Sequence, residues 1–186
     1  AHGAWLVSRC RARGKGGNVT AAAEAAVDEF DDDAVALLCD ADLGGSAGEL
    51  VALVDAVEAG RCDLAIGRFA DATVPDGATR FGQGGGFGFT LGYARKAVER
   101  LCGARLHAPL SGQRAMRIST LRQLIPFADG WGLEVGMTID ALRAGLRVEE
   151  IELPLTHRVT GRTPPAFLHR ARQLRDIRRA ARSRAG

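Results

Sequence analysis

Aromatic side chains make up only 5% of this sequence, and from Arg170 onward its arginine-rich end contains none. Nucleic-acid readers interleave basic residues with aromatic stacking platforms, so that class is disfavoured. The four cysteines, Cys10, Cys39, Cys62 and Cys102, form no C-x-x-C pair, which removes the usual zinc and dithiol signatures. Two of them lie in or beside apolar stretches and read as buried free thiols in a reducing compartment. No apolar run approaches the ~20 residues that a bilayer span needs. The opening Ala1-His2-Gly3-Ala4-Trp5 lacks the basic-then-apolar pattern of a secretory leader. The expected setting is therefore the cytoplasm. Walker A fails as well: position 9 is Arg where the first glycine should stand, and neither Ser nor Thr follows Lys15. Within residues 69–86, rich in glycine, no register satisfies G-x-G-x-x-G, so a dinucleotide fingerprint is missing too.

What is present is an ordinary globular composition, 46% hydrophobic and 25% charged over 186 residues, enough for one domain with a substantial core. The chain is organised around Ala34-Val35-Ala36-Leu37-Leu38-Cys39-Asp40-Ala41-Asp42-Leu43. Its five leading apolar residues run without alternation, the pattern of a parallel strand buried on both faces. Two carboxylates, Asp40 and Asp42, follow where such a strand emerges, at the edge where open α/β sheets bind ligands. Neighbouring acids there are most comfortable around a hard divalent cation, which in turn holds a diphosphate. The alternative is that both serve the turn and cap the next helix.

Around that stretch the elements alternate. Ala4–Val7 reads as a short strand and Arg11–Gly17 as a basic, glycine-rich loop, with Asn18 or Thr20 opening a helix through Val27. Such a loop meets phosphate through its amides and Lys15, or is simply a surface turn. Glu49–Ala59 has helical spacing ended by Gly60, and Cys62–Arg68 is the next strand. Residues 69–86 form a long loop; Phe87–Leu101 is a helix, Leu110–Met116 a turn into a strand, and Thr120–Ile125 a short helix stopped by Pro126. Gly130–Met137 leads into a helix through Leu142, closed by Gly145, with Glu134 in its first turn. A carboxylate there is either favoured by the helix dipole or a general base. Arg147–Leu153 alternates as a half-exposed strand, and a terminal helix starts near Pro165. The order is that of a wound α/β sheet.

The net charge of +3 is unevenly spread. From Arg158 onward nine arginines face a single acid, Asp176, which suits phosphate groups or anionic lipid. On a helical wheel from Pro165, Phe167, Leu168, Ala171, Leu174, Ile177 and Ala181 gather on one side. That stripe either lies on a membrane surface or docks on the domain itself.

Gly14-Lys15-Gly16-Gly17, Asp40-Ala41-Asp42-Leu43, Ile66-Gly67-Arg68, Leu110-Ser111-Gly112-Gln113-Arg114-Ala115, Gly132-Leu133-Glu134, and His157-Arg158 with Gly161-Arg162 occur in one order over about residues 14–170. As an ordered set this resembles the family 2 glycosyltransferases of GT-A fold, in the branch of the dolichyl-phosphate mannosyltransferases and glucosyl-3-phosphoglycerate synthases. The resemblance implies an α/β fold with a mixed, mainly parallel sheet flanked by helices, lacking the family's first strands. It divides the chain into the remainder of a nucleotide-binding half (1–68), an acceptor half (69–164) and a basic C-terminal helix (165–186). The family's early acidic motif and its strand ending in Asp-Asp-Gly-Ser have no counterpart before Ala4. A sheet without them is expected to expose an apolar edge that a homodimer or another chain would cover.

The roles implied are metal-dependent sugar transfer from a nucleotide-sugar to a phosphorylated or polyprenyl-phosphate acceptor. Asp40, Asp42 and His157 would hold Mg²⁺ or Mn²⁺. Lys15, Arg68, Arg158 and Arg162 would bind phosphate. Ser111, Gly112 and Gln113 would line the acceptor or sugar pocket, and Glu134 would be the catalytic or acceptor-binding acid. A degenerate scaffold that binds a partner without catalysis is the competing expectation. A lipid-linked acceptor would bring the C-terminal helix to the inner face of the membrane; no nucleic-acid partner is implied.

Overall fold

The structure, a computed structural model, describes residue 7, residues 14–70, 87–155 and 164–185, with position 87 and positions 164–170 described only as helical backbone. The elements run α1 (Gly14–Glu29), β1 (Val35–Leu38), a 3₁₀ segment (Gly44–Leu50), α2 (Val51–Glu58), β2 (Leu64–Phe69), α3 (Phe87–Cys102), β3 (Arg114–Arg117), α4 (Ile118–Leu124), a 3₁₀ turn (Gly130–Gly132), α5 (Leu133–Arg143), β4 (Val148–Leu153) and α6 (Pro164–Arg182). The expected helices at 49–59, 87–101 and 133–142 and the strands at 62–68 and 147–153 are present within a few residues. Gly60 and Gly145 adopt φ of +68° and +75° just beyond α2 and α5, the left-handed stop that glycine tolerates.

The four strands form one sheet in the order β1-β3-β2-β4. β3 runs antiparallel to both β1 and β2, while β2 and β4 are parallel. Three strands therefore point one way and β3 opposes them: the sheet is mixed, as expected, but two of its three pairings are antiparallel, that of β1 included. The period of two is visible in the packing. Leu64, Ile66 and Met116 face a core built with α1, α4 and α5, and the intervening Ala65 and Ala115 face a second core built with α2. A third cluster, Val98, Val135, Ile139, Ile177 and Ala181, joins α3 and α6 to the outer side of α5.

Several expectations are corrected. β1 is not buried on both faces: among the described residues it pairs with β3 alone, Val35, Ala36 and Leu38 are half-buried, and Leu37 is 38% exposed. An apolar run reports hydrophobicity, not the number of neighbours a strand acquires. Gly14–Gly17 is not a loop but the first turn of α1, so neither Asn18 nor Thr20 caps it. The Thr20 hydroxyl instead donates to the Gly16 carbonyl at 2.9 Å and accepts from the Phe127 N–H at 3.1 Å. Cys39 is exposed, whereas Cys62 is buried. Ala4–Leu6, most of the 69–86 loop, and the His157–Arg162 segment lie outside the described residues. No helix among the described residues is long and apolar enough to cross a membrane.

Candidate functional site

Strand direction decides what meets at one edge of the sheet. β1 delivers Asp40 just past its C-terminal end, and β3, running the other way, begins at that edge with Ser111, Gly112 and Gln113 leading into it. The first turns of α1 and α5 bring Lys15 and Glu134 to the same place. A cavity of about 250 Å³ opens there, with Lys15, Asp40, Gly112, Arg114 and Glu134 on its wall and Leu37, Leu38, Leu133 and Met137 among its apolar lining.

The centre of the arrangement is the Lys15 ammonium. Its Nζ lies 2.7 Å from Glu134 Oε1 and 3.1 Å from Asp40 Oδ1, and 5.7 Å from the centre of the Trp131 ring. Burial by itself would lower the Lys15 pKa; charge attraction and hydrogen bonding to Glu134, then to Asp40, outweigh it and leave it raised. Glu134 is 4% exposed. Its place at the start of a helix supplies a favourable dipole, and Lys15 the countercharge that a buried carboxylate requires.

Asp40 is held from its other side by Gln113. The Gln113 Nε2 donates to Asp40 Oδ2 at 2.8 Å, and Gln113 Oε1 accepts from the Asp40 backbone N–H at 2.9 Å. This two-bond clamp spans β1 and β3 and fixes the plane of the carboxylate. Gln113 is 2% exposed and Ser111 3%. Both lie behind the cavity wall, and the Ser111 hydroxyl accepts from the Gln113 N–H at 3.3 Å. Gly112 does reach the cavity, and a Cβ added to it would sit 2.7 and 2.8 Å from the Asp40 oxygens.

Arg114 was not singled out for a role, although the quoted motif contains it. It is 1% exposed, and its guanidinium donates to the carbonyls of Ser111 and Pro109 and to the Thr138 hydroxyl at 2.9–3.0 Å. Burial lowers its pKa to about 10, so it remains charged near neutrality. It thus adds a second cation to a wall that also holds two acids, Asp40 and Glu134. A charged residue opening a strand, directly after Ser111-Gly112-Gln113, is the sequence signal that marks it.

Other expected residues stand apart. Asp42 lies in the exposed turn after Asp40 and is not on the cavity wall. Arg68, at the end of β2, is ion-paired with Glu152 of β4. His157, Arg158 and Arg162 lie outside the described residues. Among the described residues no three His, Cys, Asp or Glu side chains converge as a metal cluster. The donors that are present, carboxylate oxygens on a hydrogen-bonded frame, nevertheless suit a hard divalent cation.

The sheet, its helical layers and this edge are those of the GT-A glycosyltransferase fold, so the resemblance seen in the motifs holds at the level of the fold. In particular the chain is similar to glucosyl-3-phosphoglycerate synthase from Mycobacterium tuberculosis. That enzyme, solved with Mn²⁺, UDP and glucosyl-3-phosphoglycerate, superposes with a TM-score of 0.67 at 24% identity, over 96% of this chain and 57% of its own. Its complex with phosphoglyceric acid gives a TM-score of 0.67 at 26% identity, over 93% and 55%. Its complex with Mg²⁺ and UDP gives 0.64 at 24%, over 93% and 55%. The chain spans little more than half the length of the synthase it matches. No family model matches the chain, and no curated protein matches it either.

Proposed function

We propose that this chain carries the metal and acceptor side of a glycosyltransferase that passes a sugar from a nucleotide-sugar to a phosphorylated acceptor. The observation that supports it most is the convergence of Lys15, Asp40 and Glu134, from three separate elements, on one cavity at the ligand-binding edge of a GT-A sheet. The similar synthase has been solved with UDP-glucose, Mn²⁺ and glycerol 3-phosphate together. In this reading Asp40 and Asp42, with His157, hold Mn²⁺ or Mg²⁺. The cation, when bound, offsets charge on the departing nucleoside diphosphate. Lys15 adds positive charge beside the diphosphate, as Arg68 does once released from Glu152, and Arg158 and Arg162 hold the diphosphate or the acceptor phosphate. Glu134 orients or deprotonates the acceptor hydroxyl, and Gly112 leaves room for the sugar beside Asp40. Ser111 and Gln113 act from behind the wall by fixing Asp40.

Calorimetric titration with Mn²⁺ and UDP tests the reading. Asp40→Asn and Asp42→Asn should each weaken Mn²⁺ binding at least tenfold, about 1.4 kcal/mol. Affinity equal to that of the wild type in both variants would refute it. A soluble phosphoglycerate-type acceptor is favoured over a polyprenyl phosphate, because the apolar side of α6 that would meet lipid contributes Ile177 and Ala181 to the core.

A further inference from the structure

We infer that Lys15 is the resident cation of this site and that a divalent ion reaching Asp40 has to take its place there, leaving Lys15 on Glu134 alone. The inference rests on the metal reading of Asp40 given above and adds an exchange that couples metal to nucleotide.

Three features of the geometry carry it. Asp40 Oδ2 accepts from Gln113 and Oδ1 holds Lys15 at 3.1 Å, so a cation bound at either oxygen of this carboxylate comes within a few ångströms of the ammonium. Two positive ions on one carboxylate repel each other strongly in a partly buried site. Lys15 is also bound unequally. Its contact with Glu134 is shorter, at 2.7 Å, and the Glu134 side chain is 5% exposed against 40% for Asp40. A buried carboxylate cannot lose its countercharge cheaply, whereas Asp40 can be solvated. The ammonium therefore yields at Asp40 and stays at Glu134.

The consequence is a threshold. With protein alone, Mn²⁺ competes against an ammonium already in place and binds poorly. A nucleoside diphosphate brings negative charge that gives the displaced ammonium a new partner, so metal and nucleotide bind with positive coupling. Lys15 would then keep the site from filling with metal before nucleotide arrives.

The test is Mn²⁺ binding to the full chain, measured calorimetrically with MnCl₂ alone and with UDP present. Lys15→Met should bind Mn²⁺ alone at least tenfold more tightly than wild type and lose most of the enhancement by UDP. Lys96→Met, an exposed site on α3, changes net charge equally and should leave both values unchanged. Should Lys15→Met fail to fold for want of a partner to Glu134, the comparison moves to Glu134→Gln with and without Lys15→Met, and the same tightening is expected. Unchanged or weaker Mn²⁺ binding on removal of Lys15 overturns the inference and leaves the metal reading standing. Absence of Mn²⁺ binding by wild type even with UDP defeats the metal reading and the inference with it.

Discussion

Lys15 and Glu134 are 119 positions apart in sequence and form the most buried ion pair of the site, so each can be questioned separately. Glu134→Gln keeps the shape and a hydrogen-bond acceptor but loses the charge, and should cost about 1.5–3 kcal/mol of stability. That exceeds what a first-turn helix carboxylate alone contributes, roughly 0.3–1 kcal/mol, because here the carboxylate is buried on a cation. Turnover, if Glu134 handles the acceptor proton, should drop by about 10² or more, as steady-state assays would show against urea melts of the same protein. The pH dependence has a definite sign. Lys15 has its pKa raised above 10.5 in the fold, so its contribution is whole below the unfolded value and is lost as pH rises through the folded one. Thermal melts should show wild type losing stability above about pH 10.5 more steeply than Lys15→Met. Asp40 and Glu134 were legible as candidates because acids after an apolar run and in a first helical turn are local signals. Their shared cation was not. Gln113 was legible as a site residue from its motif, but the clamp of its amide on Asp40 was not.

At the scale of elements, the clearest departures from local pattern come from close approaches that only the assembled fold defines. Three glycines in the first turn of α1, Gly14, Gly16 and Gly17, are poor helix formers, and the sequence therefore reads as a loop. The structure makes it a helix because α1 packs so closely on the Ala128–Asp129 segment that a Cβ at Gly16 would run into the Ala128 carbonyl oxygen. Gly16→Ala should accordingly destabilise by about 1–3 kcal/mol, measured by urea unfolding, despite alanine's better helix propensity. Gly112→Ala asks the complementary question. Its new methyl would press on both Asp40 oxygens at the cavity wall, so UDP–Mn²⁺ binding should weaken severalfold while the melting temperature moves little. An unchanged affinity would mean that Asp40 is dispensable to the site. The strands show the same limit. β2 and β4 were readable from length and alternation, but the exposure of β1 depends on β3, some eighty residues later in the chain, being its one partner among the described residues.

For the whole molecule, the issue is whether α6 is a detachable basic arm or part of the body that shapes the site. Its sequence allowed either. In the structure the C-terminal part of its apolar stripe is spent internally: Ile177 and Ala181 are fully buried against Val98, Val135 and Ile139, while Ala171 is exposed. Gly132 lets it approach so closely that a Cβ there would lie 2.7 Å from the Ala180 methyl. An ion pair and a hydrogen bond reinforce the contact. Arg184 grips Asp140 of α5 through two bonds of 2.6 Å, and Asp176 Oδ2 accepts from the Trp131 N–H at 3.3 Å. The second tie reaches the site, because the turn carrying Trp131 leads directly into Glu134 and places its ring near Lys15. Two groups of variants should therefore separate. Ile177→Ala should cost about 2–5 kcal/mol, as buried truncations of this size do, and should weaken UDP–Mn²⁺ binding as the Trp131 turn loosens. Paired replacement of the exposed Arg179 and Arg182 by Gln should leave stability within about 0.5 kcal/mol. Wild-type protein should not float with anionic vesicles at high salt, since insertion would require the stripe that the core already uses. Flotation that survives high salt, with α6 still helical, would show that the helix leaves the body for the bilayer and would end the view of α6 as a support for the site.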